Sequence, residues 1–144
     1  MTIATVAAVA AVALAVSSQE ELPPTGTPSP SGPIRVEVVK TGDRWELRRG
    51  GQPYVIRGVG GTGRMELLRS LGGNTVRTWG ADNAQAVLDE AYRHGLTVAL
   101  GIWLGHRSYF DYSNHEQVRE QYENARQIVE RYRNHPALLM WGLG

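Results

Sequence analysis

The stretch Thr97-Val98-Ala99-Leu100-Gly101-Ile102-Trp103-Leu104 decides the fold class of this chain. It carries no charge and is apolar almost throughout. A continuous apolar run of this length is typical of a strand that is covered on both faces, as strands of parallel sheets are. We therefore predict a buried parallel strand over residues 97–104.

Strand-like and helix-like segments alternate on both sides of this strand. In chain order, the patterns predict strand Tyr54–Val59, helix Arg64–Leu71, strand Asn74–Trp79, helix Asn83–His94, strand Thr97–Leu104, helix Glu116–Asn134 and strand Ala137–Leu143. Such alternation indicates βα units that share one parallel sheet. Upstream, residues 34–59 alternate around two glycine-containing turns, which predicts a short antiparallel meander.

Local capping signals mark the ends of two of these helices. Asp82 with Gln85 predicts an N-terminal cap pair for the helix at residues 83–94, and Gly95 predicts its C-terminal end. Asn114 with Gln117 predicts the start of the following helix.

The amino-terminal residues differ from the rest in composition. Residues 3–16 form an apolar run of Ala, Val and Leu that is too short to cross a bilayer comfortably and resembles the apolar part of a signal peptide. We expect a signal peptide over residues 1–16, a Pro/Ser/Gly-rich linker over 17–33, and export to the periplasm or the cell exterior. No stable membrane span is expected in the mature chain.

Composition excludes several classes of function. The 15 basic and 14 acidic side chains leave no field that favours nucleic acid or an anionic membrane. The absence of cysteine excludes disulfides and thiol chemistry. The four histidines are scattered over helix ends and loops, so no metal site and no cofactor are expected. Oligomeric state stays open.

One motif supports a competing interpretation. Residues 58–63, Gly-Val-Gly-Gly-Thr-Gly, match the G-x-G-x-x-G pattern between a predicted strand and a predicted helix. Asp82 follows about 20 residues later, where a dinucleotide-binding domain places an acid on the ribose. The alternative is a flexible glycine-rich loop, and the short helix that follows favours this second interpretation.

Two regions carry candidate binding groups. Strand alternation directs Arg77 and Trp79 to the same side of the predicted sheet, and a guanidinium inside a sheet requires an anion. Arg77 either supports a catalytic carboxylate or reaches solvent or a loop acid. The loop at residues 105–114 combines aromatic side chains with Asp, Asn, Arg and His106, a mixture that suits the apolar faces and hydroxyl rims of sugars.

Four segments together resemble a known family. They are Ile56-Arg57-Gly58-Val59, Asn74-Thr75-Val76-Arg77-Thr78-Trp79, Gly101-Ile102-Trp103-Leu104-Gly105-His106, and Tyr132–Pro136 leading to Trp141-Gly142-Leu143-Gly144. In order and spacing, residues 34–144 resemble the first half of the catalytic barrel of glycoside hydrolase family 2. The implied fold class is α/β: an incomplete TIM (β/α)8 barrel of about four βα units, preceded by the meander.

The resemblance implies hydrolysis or transfer at β-glycosidic bonds of an oligo- or polysaccharide by a retaining mechanism. It implies that Arg77 supports the nucleophile and that Trp79, His106 and Trp141 contact substrate. Gly60 stands where many relatives have Asn. In the family, Asn-Glu follows the motif at residues 141–144 and supplies the acid/base, and the nucleophile lies on the seventh strand.

Neither carboxylate lies within the 144 residues, so the resemblance implies an amino-terminal fragment that is inactive alone. The alternatives are a noncatalytic carbohydrate-binding or interaction half barrel, and the dinucleotide-binding domain.

Overall fold

A computed structural model describes residues 32–144 as an α/β fold with two sheets. The strands are β1 (Val36–Thr41), β2 (Arg44–Arg49), β3 (Gln52–Pro53), β4 (Gly58–Gly60), β5 (Thr75–Arg77), β6 (Thr97–Ile102) and β7 (Leu138–Leu143), and the helices are α1 (Met65–Ser70), α2 (Ala84–Arg93) and α3 (His115–Tyr132). The predicted signal peptide and residues 17–31 of the predicted linker lie outside the described residues. Within that range no helix is long and apolar enough to cross a membrane.

The predicted antiparallel meander is confirmed. Strands β1, β2 and β3 form a three-stranded sheet in that order. Gly50 and Gly51, between β2 and β3, both have positive φ, 58° and 78°. A two-residue turn with two positive φ angles matches the twist of the flanking strands, which explains the glycine pair.

The predicted parallel sheet is also confirmed, with strand order β4-β5-β6-β7. Its register places Gly60 beside Arg77, Arg77 beside Ala99, and Ala99 beside Met140. Because side chains alternate along a strand, these four residues lie on one face of the sheet. We call it the open face, since the helices pack on the other.

The helix-covered face contains the hydrophobic core. Val76, Val98 and Leu100 point toward the helices and are at most 1% exposed. They belong to a buried cluster that also includes Met65, Leu88, Ala91, Leu96, Tyr132 and Ala137. This burial supplies most of the driving force for pairing the strands with their helices.

The strand predicted over Tyr54–Val59 is wrong over residues 54–57, because β4 comprises only Gly58–Gly60. The side chain of Asn74 instead binds the backbone of the residues that precede β4. Its Nδ2 donates to the Val55 carbonyl at 2.8 Å, and its Oδ1 accepts from the Arg57 N–H at 2.7 Å. Backbone groups that would otherwise need a neighbouring strand are thus satisfied by a side chain.

The capping predictions have mixed outcomes. Asn114 caps α3, accepting hydrogen bonds from the N–H groups of Glu116 and Gln117. Gly95 follows the end of α2 with a φ of +64°, as predicted. The cap pair at Asp82 is wrong, because Asn83 holds the N-cap position without a side-chain bond. Gln85 instead donates to the Asp89 carboxylate, one turn along the helix.

Tyr54 joins the meander to the parallel sheet. Its hydroxyl lies 3.0 Å from the Asn74 carbonyl, 3.3 Å from Thr75 Oγ1 and 3.0 Å from Thr97 Oγ1. The two threonine hydroxyls are 3.0 Å apart and are buried. One phenol therefore satisfies polar groups on two adjacent strands.

We predict that Tyr54→Phe lowers the free energy of unfolding by about 1–2 kcal/mol, since it removes a partner from buried hydroxyls. Urea denaturation measures the change. Tyr122→Phe is the matched control: Tyr122 is 62% exposed, and its variant should stay within about 0.5 kcal/mol of the parent. Equal losses in the two variants would contradict the role given to Tyr54.

His135 joins the end of α3 to α2. The Ala137 N–H donates to His135 Nδ1 at 3.1 Å, so the ring proton lies on Nε2, which is 3.1 Å from Asp89 Oδ1. Hydrogen bonds from Gln85 and then from His135 hold the pKa of Asp89 below its usual value. The folded state therefore favours the ionised carboxylate.

Because the folded pKa of Asp89 is lowered, its contribution to stability is present above pH 4 and is lost as the pH falls through the folded pKa. The carboxylate is 51% exposed, so we expect at most about 0.5 kcal/mol. Denaturation curves between pH 6 and pH 2 measure it, and Asp89→Asn should flatten that part of the profile. An unchanged profile in Asp89→Asn would contradict this contribution.

Candidate functional site

The loops that follow the parallel strands meet at the carboxyl edge of the sheet. Residues 61–64 follow β4, residues 78–83 follow β5, and residues 103–114 follow β6. In α/β folds, ligands bind at this edge because helix and strand ends leave a crevice there. Both regions with predicted binding groups lie here, which makes this edge the candidate functional site.

Arg77 is the last residue of β5, and its side chain projects from the open face of the sheet. Its guanidinium carbon lies 5.6 Å from the centroid of the Trp79 ring. The prediction that Arg77 and Trp79 share a side is consistent with this contact. Among residues 32–144, no carboxylate lies within 4.0 Å of Arg77. The guanidinium is oriented by an aromatic ring and can accept an anionic partner.

Two glycines fix the position of Trp79. A Cβ on Gly60 would lie 2.8 Å from the Trp79 ring, and a Cβ on Gly101 would lie 2.5 Å from the Trp79 backbone carbonyl carbon. Thr78 Oγ1 accepts a hydrogen bond from the Gly101 N–H at 2.9 Å, which holds the backbone at Thr78 and Trp79 against Gly101. Trp79 is nevertheless 50% exposed.

The packing of Trp79 on Gly60 argues against dinucleotide binding by the G-x-G-x-x-G motif at residues 58–63. Gly58 and Gly60 lie inside β4, and the indole of Trp79 covers Gly60. The helix that follows has six residues, and Arg64 at its N-cap has a φ of 58° with no side-chain cap. Phosphate binding needs glycine backbone that the ligand can approach, and this geometry does not offer it at Gly60.

The loop after β6 is fixed at Gly105. Gln121 of α3 accepts a hydrogen bond from the Gly105 N–H at 2.5 Å, and the Tyr112 hydroxyl donates to the Gly105 carbonyl at 2.7 Å. The rings of Phe110 and Tyr112 are 4.6 Å apart. Gly105 is required because any Cβ there would overlap the Phe110 ring. The loop thus holds its aromatic side chains in place.

His106 lies on this loop and is exposed. Its Nδ1 is 2.7 Å from Ser108 Oγ, and its ring centroid is 6.1 Å from that of Tyr109. Tyr109 in turn accepts a hydrogen bond from Trp103 Nε1 at 3.2 Å. Trp103 and Tyr109 are 58% and 66% exposed. His106 therefore belongs to an aromatic group with Trp103 and Tyr109.

The apolar run predicts that Trp103 lies in a buried strand, and this prediction is wrong. Strand β6 ends at Ile102, so Trp103 lies beyond the sheet and faces solvent. Alternation indicated this exposure, since residue 103 lies two and four residues after Gly101 and Ala99, whose side of the strand is the open face. Its apolar neighbours concealed that signal.

Asp111 is the acid at the centre of this loop. The Ser113 hydroxyl and then the Ser113 N–H donate to its Oδ1, and these bonds hold the pKa of Asp111 below its usual value. An acid that stays ionised in this way is suited to shaping the turn and accepting hydrogen bonds, and is poorly suited to donate a proton.

Trp141 does not join this group. Val98 pairs with Leu138, but Ala99 pairs with Met140, so an irregularity shifts the register by one residue. As a result Trp141 lies beside Leu100 and packs against the hydrophobic core. A one-residue shift moves a side chain to the opposite face of a sheet. The contact between Trp141 and substrate stays a prediction, and the packing of Trp141 against the core does not support it.

Within the part of the chain that the structure describes, no three His, Asp or Glu side chains lie close enough together to hold a metal ion. The carboxyl edge therefore carries Arg77 beside Trp79 and, on the loop after β6, the aromatic group of Trp103, His106 and Tyr109. Aromatic faces beside hydrogen-bonding groups match the surface of a sugar ring.

No protein-family model matches the sequence. The chain is 37% identical over 81 residues to the beta-glucuronidase of Pongo abelii, an alignment that covers 54% of this chain and 12% of that protein. The chain therefore spans about an eighth of the relative's length.

Solved structures share the fold. A beta-glucuronidase of Bifidobacterium dentium, complexed with coumarin-3-O-glucuronide, has a TM-score of 0.57 at 20% identity and covers 78% of this chain, which spans 20% of its length. The beta-D-mannosidase of Dictyoglomus thermophilum has a TM-score of 0.55 at 18% identity, with 78% and 16% of the two chains covered. These likenesses support a fold of the glycoside hydrolase family 2 type.

We predict that Gly60→Ala displaces the Trp79 indole, because the added methyl group would lie 2.8 Å from the ring. In an ¹⁵N-labelled protein, the indole N–H resonance of Trp79 should move while the other three tryptophan resonances stay. Gly63→Ala is the matched control, since nothing lies within 4 Å of its Cβ position. Equal shifts in the two variants would contradict the close packing of the Trp79 indole on Gly60.

Proposed function

We propose that this chain is the amino-terminal part of the catalytic barrel of an exported glycoside hydrolase or transglycosidase acting on β-glycosidic bonds. The observation that carries the proposal is the position of Arg77 beside Trp79 at the carboxyl edge of a parallel sheet. The 37% identity to a beta-glucuronidase over 81 residues supports the same class. The fold likeness to a beta-glucuronidase and a beta-D-mannosidase is consistent with it.

The proposed mechanism is retaining double displacement. One carboxylate attacks the anomeric carbon while a second carboxyl group protonates the leaving oxygen, and the two lie about 5–5.5 Å apart. We expect the acid/base to come from an Asn-Glu pair that follows Gly144 and the nucleophile from a later strand. The two residues belong to the longer protein of which this chain is proposed to be part.

Arg77 has the supporting role in this mechanism. Its guanidinium is oriented by Trp79 and has no carboxylate partner among residues 32–144, so it can bind the nucleophilic carboxylate. A fixed cation lowers the pKa of that carboxyl group and keeps it ionised for attack. Trp79 and His106 would contact the sugar through the indole face and the imidazole.

The test begins with the coding DNA beyond codon 144. An in-frame continuation that encodes Asn-Glu is expected, and an immediate stop codon would overturn the proposal. The extended protein should cleave p-nitrophenyl β-glycosides, with the glucuronide and the mannoside tested first.

In that extended protein, Arg77→Lys should lower kcat/KM by about 10²–10³-fold, the size of effect seen when one preorganised electrostatic partner is removed. Lysine keeps the charge but loses the planar, forked geometry of guanidinium. Arg93→Lys, on the exposed surface of α2, is the control and should keep parental kcat/KM. Full activity of Arg77→Lys would exclude the supporting role.

A second candidate function is a noncatalytic carbohydrate-binding module. It is favoured by the exposure of Trp79, Trp103 and Tyr109, because aromatic platforms bind sugars without acid or base groups. Retarded migration of the chain in polysaccharide-containing gels, without cleavage by the extended protein, would favour this function over the enzyme.

A further inference from the structure

A cavity lies at the amino end of the parallel sheet, where its strands begin, opposite the carboxyl edge that carries Arg77 and Trp79. It has a volume of about 580 Å³ and is bounded by the meander, the starts of β5 and β6, and the end of α2. Three arginines line it: Arg49, Arg57 and Arg69. Among the described residues, no acidic side chain lines this cavity. We call it the arginine cavity.

Arg49 enters the cavity from β2. One terminal nitrogen, Nη2, donates to the Pro136 carbonyl at 2.8 Å and holds the side chain across the gap between the two sheets. Its Nε is fully buried and has no hydrogen-bond partner among residues 32–144. Burial keeps Nε out of reach of the cavity, but Nη1 makes no hydrogen bond within residues 32–144 and is not buried, so it is the donor that an acceptor in the cavity could meet.

Arg57 and Arg69 contribute from the loop before β4 and from α1. Arg57 Nε donates to the Gly72 carbonyl at 3.0 Å, and Arg69 Nε lies 3.9 Å from the Cβ position of Gly95. Neither forms an ion pair within the described range. Each guanidinium has five N–H donors, so most donors of both remain available.

We propose that the arginine cavity is a binding site for a small molecule bearing an oxyanion, either a phosphate or a carboxylate. Planar guanidinium groups bind both anions through paired hydrogen bonds. The cavity lies at the end of the sheet away from Arg77 and Trp79. The site is independent of the proposed glycosidase function.

The test uses the ¹⁵N-labelled full chain and observes the Nε–H resonances of arginine. Sodium phosphate and sodium succinate are titrated separately at constant pH and constant ionic strength, with sodium chloride as the balancing salt. Saturable shifts of the Arg49, Arg57 and Arg69 resonances are expected with at least one of them. Saturation with phosphate identifies a phosphate-bearing ligand, and saturation with succinate identifies a carboxylate-bearing one.

Arg49→Gln should weaken binding about tenfold or more, since hydrogen bonds to charged groups carry most of the affinity. Arg44→Gln is the control, because Arg44 is exposed on the same strand and does not line the cavity. If Arg49→Gln does not fold, Arg57→Gln and Arg69→Gln replace exposed side chains and give the same test. Failure of both anions to saturate, or equal weakening in the Arg44 control, would overturn the site.

Discussion

The hydrogen bonds of Asn74 and Tyr54 at the start of β5 are the interaction on which the rest of the structure depends. Asn74 binds the backbone of Val55 and Arg57 and so decides where the meander stops and β4 begins. Tyr54 satisfies the threonine hydroxyls of two adjacent strands. With the start of β4 fixed, the register that sets Gly60 beside Arg77 follows along the sheet.

This register gives the two ends of the sheet different chemistry. At the carboxyl edge, Arg77 is exposed beside the Trp79 ring, and two glycines allow the chain at Trp79 to pack closely. At the amino end, the arginine cavity holds three guanidinium groups around a space without acids among the described residues. Both ends follow from the same rule, that a buried sheet displays its polar groups where its strands begin and end.

Much of the fold could be predicted from local sequence signals. The alternating apolar runs predicted the order of the strands and helices, and Asn114 and Gly95 predicted two helix ends, because a cap depends on residues within one turn. The strand predicted over Tyr54–Val59 failed for the opposite reason, because Asn74, 17 to 19 residues away, binds its backbone. The cap pair at Asp82 failed through local contacts, because Asn83 holds the N-cap position and Gln85 bonds to Asp89 along its own helix.

The sequence by itself determined the parallel sheet, because the alternation of strand and helix patterns is a local property. Strand β5 ends at Arg77, so the position of Trp79 beside Arg77 depends on packing against Gly60 and Gly101. Only the tertiary structure decided which strands' residues meet. The register shift between β6 and β7 turned Trp141 into the core, and the early end of β6 released Trp103 to join Tyr109. Register depends on contacts between distant segments, and a shift of one residue exchanges the two faces of a strand.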